Sequence, residues 1–143
     1  MFHGIGAPGR ELEPDEENYW VEPAQFEELL DVIVRFPSVR ISFDDGNSSD
    51  AELALPALQQ RNLTATFFIL SGRLGQPGSL TAADVRNLVQ ANMTVGSHGA
   101  RHRPWRTISA GTPSGTYRHT TGHQGSRYCT WASNIPPLRI CHG

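Results

Sequence analysis

Three short apolar runs, separated by two amphipathic helix patterns, constrain this chain more than any other feature. Val39, Ile41 and Phe43 alternate with Arg40 and Ser42, the period-two signature of a strand. Residues 64–70 are rich in Thr, Phe and Ile with almost no polar alternation, as expected of a parallel strand buried on both faces. The third run is the short stretch around Val95. Between the first two, Ser49 and Glu52 make a capping-box pattern that opens a helix running to about Arg61. Pro56 lies inside it, so the helix either kinks there or starts later with Pro56 in its first turn. Between the second and third, Leu80 and Val85 flank Thr81 and Asp84 as a hydrophobic staple around a capping box. Leu88 and Val89 continue the stripe, and Asn92 suits the C′ position. Strand, helix, strand, helix, strand implies an α/β fold with a parallel sheet. Upstream, Pro23 fits a helix N1 position, and Phe26, Leu29, Leu30 and Ile33 give an amphipathic helix over 23–35. Residues 7–20 read as a solvated loop ending at the apolar anchor Tyr19-Trp20-Val21, and residues 71–79 as a Gly/Pro loop.

Polar chemistry arrives where two of these runs stop. Asp44, Asp45 and Gly46 follow the first, at the C-terminal end of a strand, which in parallel α/β folds is the rim that carries function. Asp-Asp-Gly is also ordinary turn chemistry, so the pair alone does not decide the matter. His98 and His102 follow the third run with Gly99 between them. On a helix they would share a face, and in a loop Gly99 lets both rings converge. Two imidazoles with one carboxylate are three protein ligands for Zn²⁺ with a fourth position left for water, the catalytic kind of site. Without a carboxylate partner, two solvated loop histidines would be the plainer reading. One intervening strand separates the two motifs, so both open onto the same rim.

Ser42-Phe43-Asp44-Asp45-Gly46 resembles the first motif, and His98-Gly99-Ala100-Arg101-His102 the second, of the NodB-type polysaccharide deacetylases, metal-dependent carbohydrate esterases on a distorted (β/α) barrel. The segments 46–50, 64–70 and 102–106 are also similar to that family, and residues 1–6 resemble its first barrel strand. The resemblance implies that Asp44 is the catalytic base and that Asp45, His98 and His102 hold Zn²⁺ or another divalent transition metal. It implies an acetylated carbohydrate as substrate, with hydrolysis of an N- or O-acetyl group as the reaction. Chitin oligosaccharides, peptidoglycan and acetylated xylan are all substrates of the family, and the sequence does not choose among them.

Length then limits the architecture. A chain of 143 residues is one domain by the usual relation, and eight βα units need far more chain, so the barrel is expected to be incomplete. The likeness covers residues 1–106. All 14 acidic residues fall there, whereas 107–143 contain none, and eighteen of those residues are Gly, Pro, Ser or Thr without sustained periodicity. The expectation is a partial deacetylase domain over 1–106, an irregular tail outside the fold over 107–143, and a shift of reading frame near Arg106. The family's later motifs, including a Leu-x-x-His that supplies the general acid, are not found; Arg139, not Leu, stands three residues before His142. A chain so interrupted is expected to have little activity. His119, His123, Cys129, Cys141 and His142 lack the close Cys-x₂-Cys pairing of structural zinc sites.

A net charge of −2 gives no reason to expect nucleic acid or an anionic membrane as partner. No apolar stretch near 18 residues and no leader pattern is visible, so neither a membrane span nor an export signal is expected. The Asn-x-Ser/Thr sequons at Asn47, Asn62 and Asn92 read as turn or cap asparagines. A competing expectation is a non-catalytic metal- or sugar-binding remnant of such a domain. A non-haem Fe(II) oxygenase triad would also use two histidines and a carboxylate, but it leaves Asp44 without a role.

Overall fold

The structure, a computed structural model, describes residues 1–102; the expectations for the tail lie outside them. In chain order the elements are β1 (Gly4–Ile5), a 3₁₀ turn (Glu16–Tyr19), β2 (Trp20–Val21), α1 (Pro23–Ile33) and β3 (Ile41–Asp45). There follow a π-helical turn (Asp50–Ala54), α2 (Leu55–Gln60), β4 (Ala65–Ile69), a 3₁₀ turn (Ser71–Arg73), α3 (Ala82–Gln90) and β5 (Thr94–Ser97). β3, β4 and β5 form a parallel sheet in that order, with Phe43 opposite Phe67 and Phe67 opposite Val95. β1 pairs with β2 in a second parallel pair. The two pairings are joined by a bridge between Phe2 and Phe43, where the Phe2 N–H donates to Ser42 and the Asp44 N–H donates to Phe2. Among the described residues the strands do not close into a barrel.

The core lies between the sheet and the helices. Phe43 stacks on Phe67 at 4.7 Å between ring centroids, and Phe2 and Phe26 close on Phe43 from the other side. Leu30 from α1, Leu58 from α2 and Val85 and Leu88 from α3 complete it. The apolar spacing of α1 and α3 therefore does what helical periodicity requires: it places one stripe per helix against the sheet.

Both helix ends that carry a sequon asparagine are Schellman caps. Asn92 has φ 61°, its N–H donates to Val89, and the Met93 N–H donates to Leu88; Asn62, φ 53°, does the same at the end of α2 with Gln59 and Leu58. At the start of α3 the Thr81 and Asp84 capping box forms as its sequence pattern predicts, with Leu80 and Val85 both buried.

Several local expectations are overturned. Ser49 does not cap a helix; its hydroxyl accepts the buried Ile5 N–H at 3.2 Å, which ties β1 to the turn after β3. Of the two alternatives for Pro56 the later start holds: the regular helix begins at Leu55 with Pro56 in its first turn, and the residues before it wind as a π turn. The physical reason is the missing Pro56 N–H, which a helix interior cannot tolerate but a first turn can. β3 starts two residues later than the alternation suggests, because Val39 is used in a turn, donating its N–H to Phe36, and its side chain is exposed. β4 is buried on one face only: Thr66 and Phe68 are half-buried, where a strand inside a complete sheet would be covered on both sides. Residues 7–20 are not simply a solvated loop, since they contain a 3₁₀ turn, lead directly into β2, and bury Glu16.

Candidate metal centre at the strand ends

β3 delivers Asp44 and Asp45 at its last two positions, and β5 stops one residue before His98. Asp45 is almost wholly buried and has φ 77°, a left-handed conformation uncommon for a residue with a side chain, so the extended run breaks at the carboxylate. Gly46 continues it at φ 74°. A Cβ there would lie 2.9 Å from Ile69 Cγ2, so both the angle and the close approach to β4 require glycine. On the other motif, Gly99 has φ 98°, which turns the chain so that His102 comes back toward His98; the rings lie 5.7 Å apart, nearly parallel. Ser71 and Gly72 brace that loop by donating their N–H groups to Gly99 and Ala100, and the His98 N–H donates to Ile69 at the end of β4.

The result is convergence. One donor atom each from Asp45, His98 and His102 falls within 4.8 Å of the other two. His98 Nε2 is 3.5 Å from Asp45 Oδ1, outside ordinary hydrogen-bond length, and that oxygen is buried without a hydrogen-bond partner among the described residues. Arg73 Nη1 lies 3.9 Å from Asp45 Oδ2 and is likewise unpartnered. A buried carboxylate oxygen aimed at two imidazoles and bonded to neither is a donor set that fits a divalent cation, since buried polar atoms otherwise find partners. Asp44, its neighbour on the chain, is also buried but is not one of the three converging groups.

Three residues that the sequence patterns do not single out belong to this region. A cleft of about 220 Å³ is lined by His3, Glu13, Asp15, Tyr19, Asp45 and His102 among others. Glu13 reaches both His102 and Arg73. Nothing local in the sequence marks Glu13, whose partners Arg73 and His102 are 60 and 89 residues away, or Arg73, which meets Glu13 only through the fold. Asp50 is wholly buried in the π turn with neither carboxylate oxygen hydrogen-bonded among the described residues. Burial first, and then the negative charges of Asp45 and Asp44, push its carboxyl well above the ordinary range against an opposing contribution from the Asn47 backbone.

The loop before β2 is pinned over this region by charge. Arg10 forms a two-pronged ion pair with Glu16 and also donates from Nε to Asn47 at 3.1 Å, while Asn47 Nδ2 donates to the His3 carbonyl. Burial tends to raise the Glu16 carboxyl, but the hydrogen bonds from Arg10 and the Glu13 N–H, with the charges of Arg10 and Arg73, outweigh it and hold it below the ordinary value. Asn47 is thus a turn residue, accepting the Asp50 N–H, that is also a buried pin.

The described residues form an open, parallel α/β sheet with two aspartates and two histidines at its strand ends, the architecture of the parallel α/β class. Comparison with known proteins specifies it. The family model described as polysaccharide deacetylase matches residues 32–124, and the chain belongs to that family. Among solved structures, the Streptococcus pyogenes deacetylase PplD, in complex with acetate, is similar at 20% identity and a TM-score of 0.62, covering 76% of this chain and 58% of that one. A polysaccharide deacetylase from Bacillus cereus is similar at 21% identity and a TM-score of 0.63, covering 77% of this chain and 41% of that one. These likenesses establish the fold as an incomplete distorted barrel of the NodB type; the chain spans between two-fifths and three-fifths of those relatives. No protein with curated function matches. The family match runs past Arg106 to residue 124, beyond the domain boundary expected at 106, and that boundary stands as a proposal. No helix among the described residues is long and apolar enough to cross a membrane.

Proposed function

We propose that this chain carries the metal-binding half of a carbohydrate deacetylase site, one that hydrolyses an N- or O-acetyl group on a sugar. The observation that carries the reading is the convergence of Asp45, His98 and His102 donor atoms within 4.8 Å around a buried, unpartnered Asp45 oxygen. Asp45, His98 and His102 are the residues that would hold a divalent ion such as Zn²⁺. When bound there, that ion supplies Lewis acidity to the acetyl carbonyl and makes a nearby water more acidic. Asp44, placed beside Asp45 by the chain itself, accepts the proton as the water oxygen attacks the carbonyl carbon. Cleavage of the C–N or C–O bond then releases acetate, and the departing amine or alcohol takes up one proton. The group that delivers this proton in the family, a histidine in Leu-x-x-His, has no match anywhere in the 143 residues. The alternative reading is a metal- or sugar-binding remnant with little turnover.

The test is metal content and acetate release together. The full chain is loaded with Zn²⁺, its metal is measured by elemental analysis, and acetate is assayed over chitin oligosaccharides, peptidoglycan and acetylated xylan. Asp45→Asn and His98→Ala are expected to lose the ion, whereas Asp44→Asn retains it. In a longer family member carrying the same motif, the change matching Asp44→Asn should lower turnover by about 10² to 10⁴ with metal retained. Equal metal in wild type, Asp45→Asn and His98→Ala would refute the ligand set. Metal retained without acetate release in the full chain selects the remnant.

A further inference from the structure

Glu13 makes two contacts that nothing in its own segment explains. Its Oε2 lies 3.0 Å from His102 Nδ1, and its Oε1 accepts from Arg73 Nη2. An ionised carboxylate only accepts, so the His102 ring must donate Nδ1–H to it, and the proton of the neutral ring is thereby fixed on that nitrogen. Nε2 is left with its lone pair free. Glu13 also lines the same cleft as Asp45 and His102, so the contact lies at the site itself and not on a remote surface.

We infer that Glu13 is a positioning residue: it selects the His102 tautomer that can ligate through Nε2 and holds the ring at the angle that meets Asp45 and His98. The inference rests on the metal centre proposed above. Metal-ligating histidines commonly donate their other ring N–H to a carboxylate, which fixes both orientation and tautomer. Here the carboxylate comes from a loop far away in sequence, and the structure shows what holds it. The second oxygen is anchored by Arg73, whose other nitrogen faces Asp45 across 3.9 Å, so Asp45, Arg73, Glu13 and His102 form one chain of contacts around the cleft. The Glu13 backbone is fixed in turn, since its N–H donates to Glu16 at 2.8 Å and Glu16 is locked to Arg10. His98 has no such carboxylate beside it other than Asp45 among the described residues, so the two histidines differ in what orients them.

Two measurements on the full chain test this. Titration with Co²⁺ alone, followed by its visible absorption, compares wild type with Glu13→Ala and with His98→Ala. A loss of about 10- to 100-fold in Co²⁺ affinity in Glu13→Ala is expected, the range typical when such a partner is removed. Long-range ¹H–¹⁵N spectra of the metal-free wild type at alkaline pH read the tautomer directly, with the His102 signals assigned by their disappearance in His102→Ala. The proton is expected on Nδ1 in wild type. Because this reading needs no Glu13 variant, it stands even if Glu13→Ala does not fold. A wild-type His102 that carries its proton on Nε2, or a folded Glu13→Ala that binds Co²⁺ as tightly as wild type while His98→Ala does not, overturns the role of Glu13 and leaves the metal centre intact. A wild type that takes up no Co²⁺ overturns the metal centre and the inference with it.

Discussion

Three aspartates within seven positions meet three different surroundings. Asp45, the last residue of β3, faces two imidazoles and Arg73, Asp44 precedes it in the strand, and Asp50 lies buried in the π turn with no ion-pair partner among the described residues. For Asp50 the cheapest state is neutral, because a charged carboxylate there would be both desolvated and repelled. The pH dependence follows from the sign. A carboxyl whose folded-state pKa is raised contributes most below its unfolded value, and the contribution is lost as pH rises through the folded value. Asp50→Asn keeps the shape and cannot ionise. In the metal-free chain the melting temperature of Asp50→Asn relative to wild type should therefore climb as pH is raised from acid to alkaline. A difference that stays flat or shrinks over that range would mean that Asp50 is not held neutral. At this scale the sequence displayed Asp44, Asp45, His98 and His102 because strand endings are local events. It concealed Glu13 and Asp50, whose roles exist only through partners distant in the chain.

The elements that position the site are short, and side-chain pins do much of what length usually does. β1 and β2 are two residues each, and the intervening segment would have little reason to stay folded without the Arg10 and Glu16 pair and its link to Asn47. Both partners of that pair are nearly buried, so removing one leaves an uncompensated charge. Arg10→Ala should cost about 3 kcal/mol, the low end for breaking a buried ion pair, measurable by urea unfolding. It should also open the segment between β1 and β2 to limited proteolysis first. The Glu16 carboxyl is held low, so its stabilisation is present above the ordinary carboxylate range and is lost as pH falls through its folded value. An Arg10→Ala chain with wild-type stability and an unchanged cleavage pattern would show that the pins are incidental. Helix ends were legible from sequence where a motif is self-contained, as at Thr81, Asp84 and Asn92. They were misread where a long-range partner competed, as when Ile5 took the Ser49 hydroxyl.

For the molecule as a whole, an open sheet has consequences that its elements do not. The outward side of α1 and the residues after it expose Leu29, Val32, Val34 and Phe36, and β4 keeps one half-covered face. We propose that residues 107–143 add nothing to the packing of residues 1–102, since they contain no acidic residue and no sustained apolar period. Deleting 107–143 should then leave the thermal unfolding midpoint and Zn²⁺ uptake unchanged. Because the family match reaches residue 124, a deletion that lowers either one would place the boundary later than 106.

Hydrophobic period determined, without any structure, that this chain builds a parallel α/β sheet, and the strand endings put Asp44, Asp45, His98 and His102 at its rim as candidates. Both signals repeat within a few residues, so a linear reading captures them. Tertiary structure alone decided that Ser49 serves β1 instead of a helix, that Asn47 is a buried pin, that burial raises the Asp50 carboxyl, and that Glu13 joins Arg73 to His102. The reason is physical: each of these depends on a contact or a desolvation created by chain segments that meet only after folding, and no local pattern encodes which segments those will be.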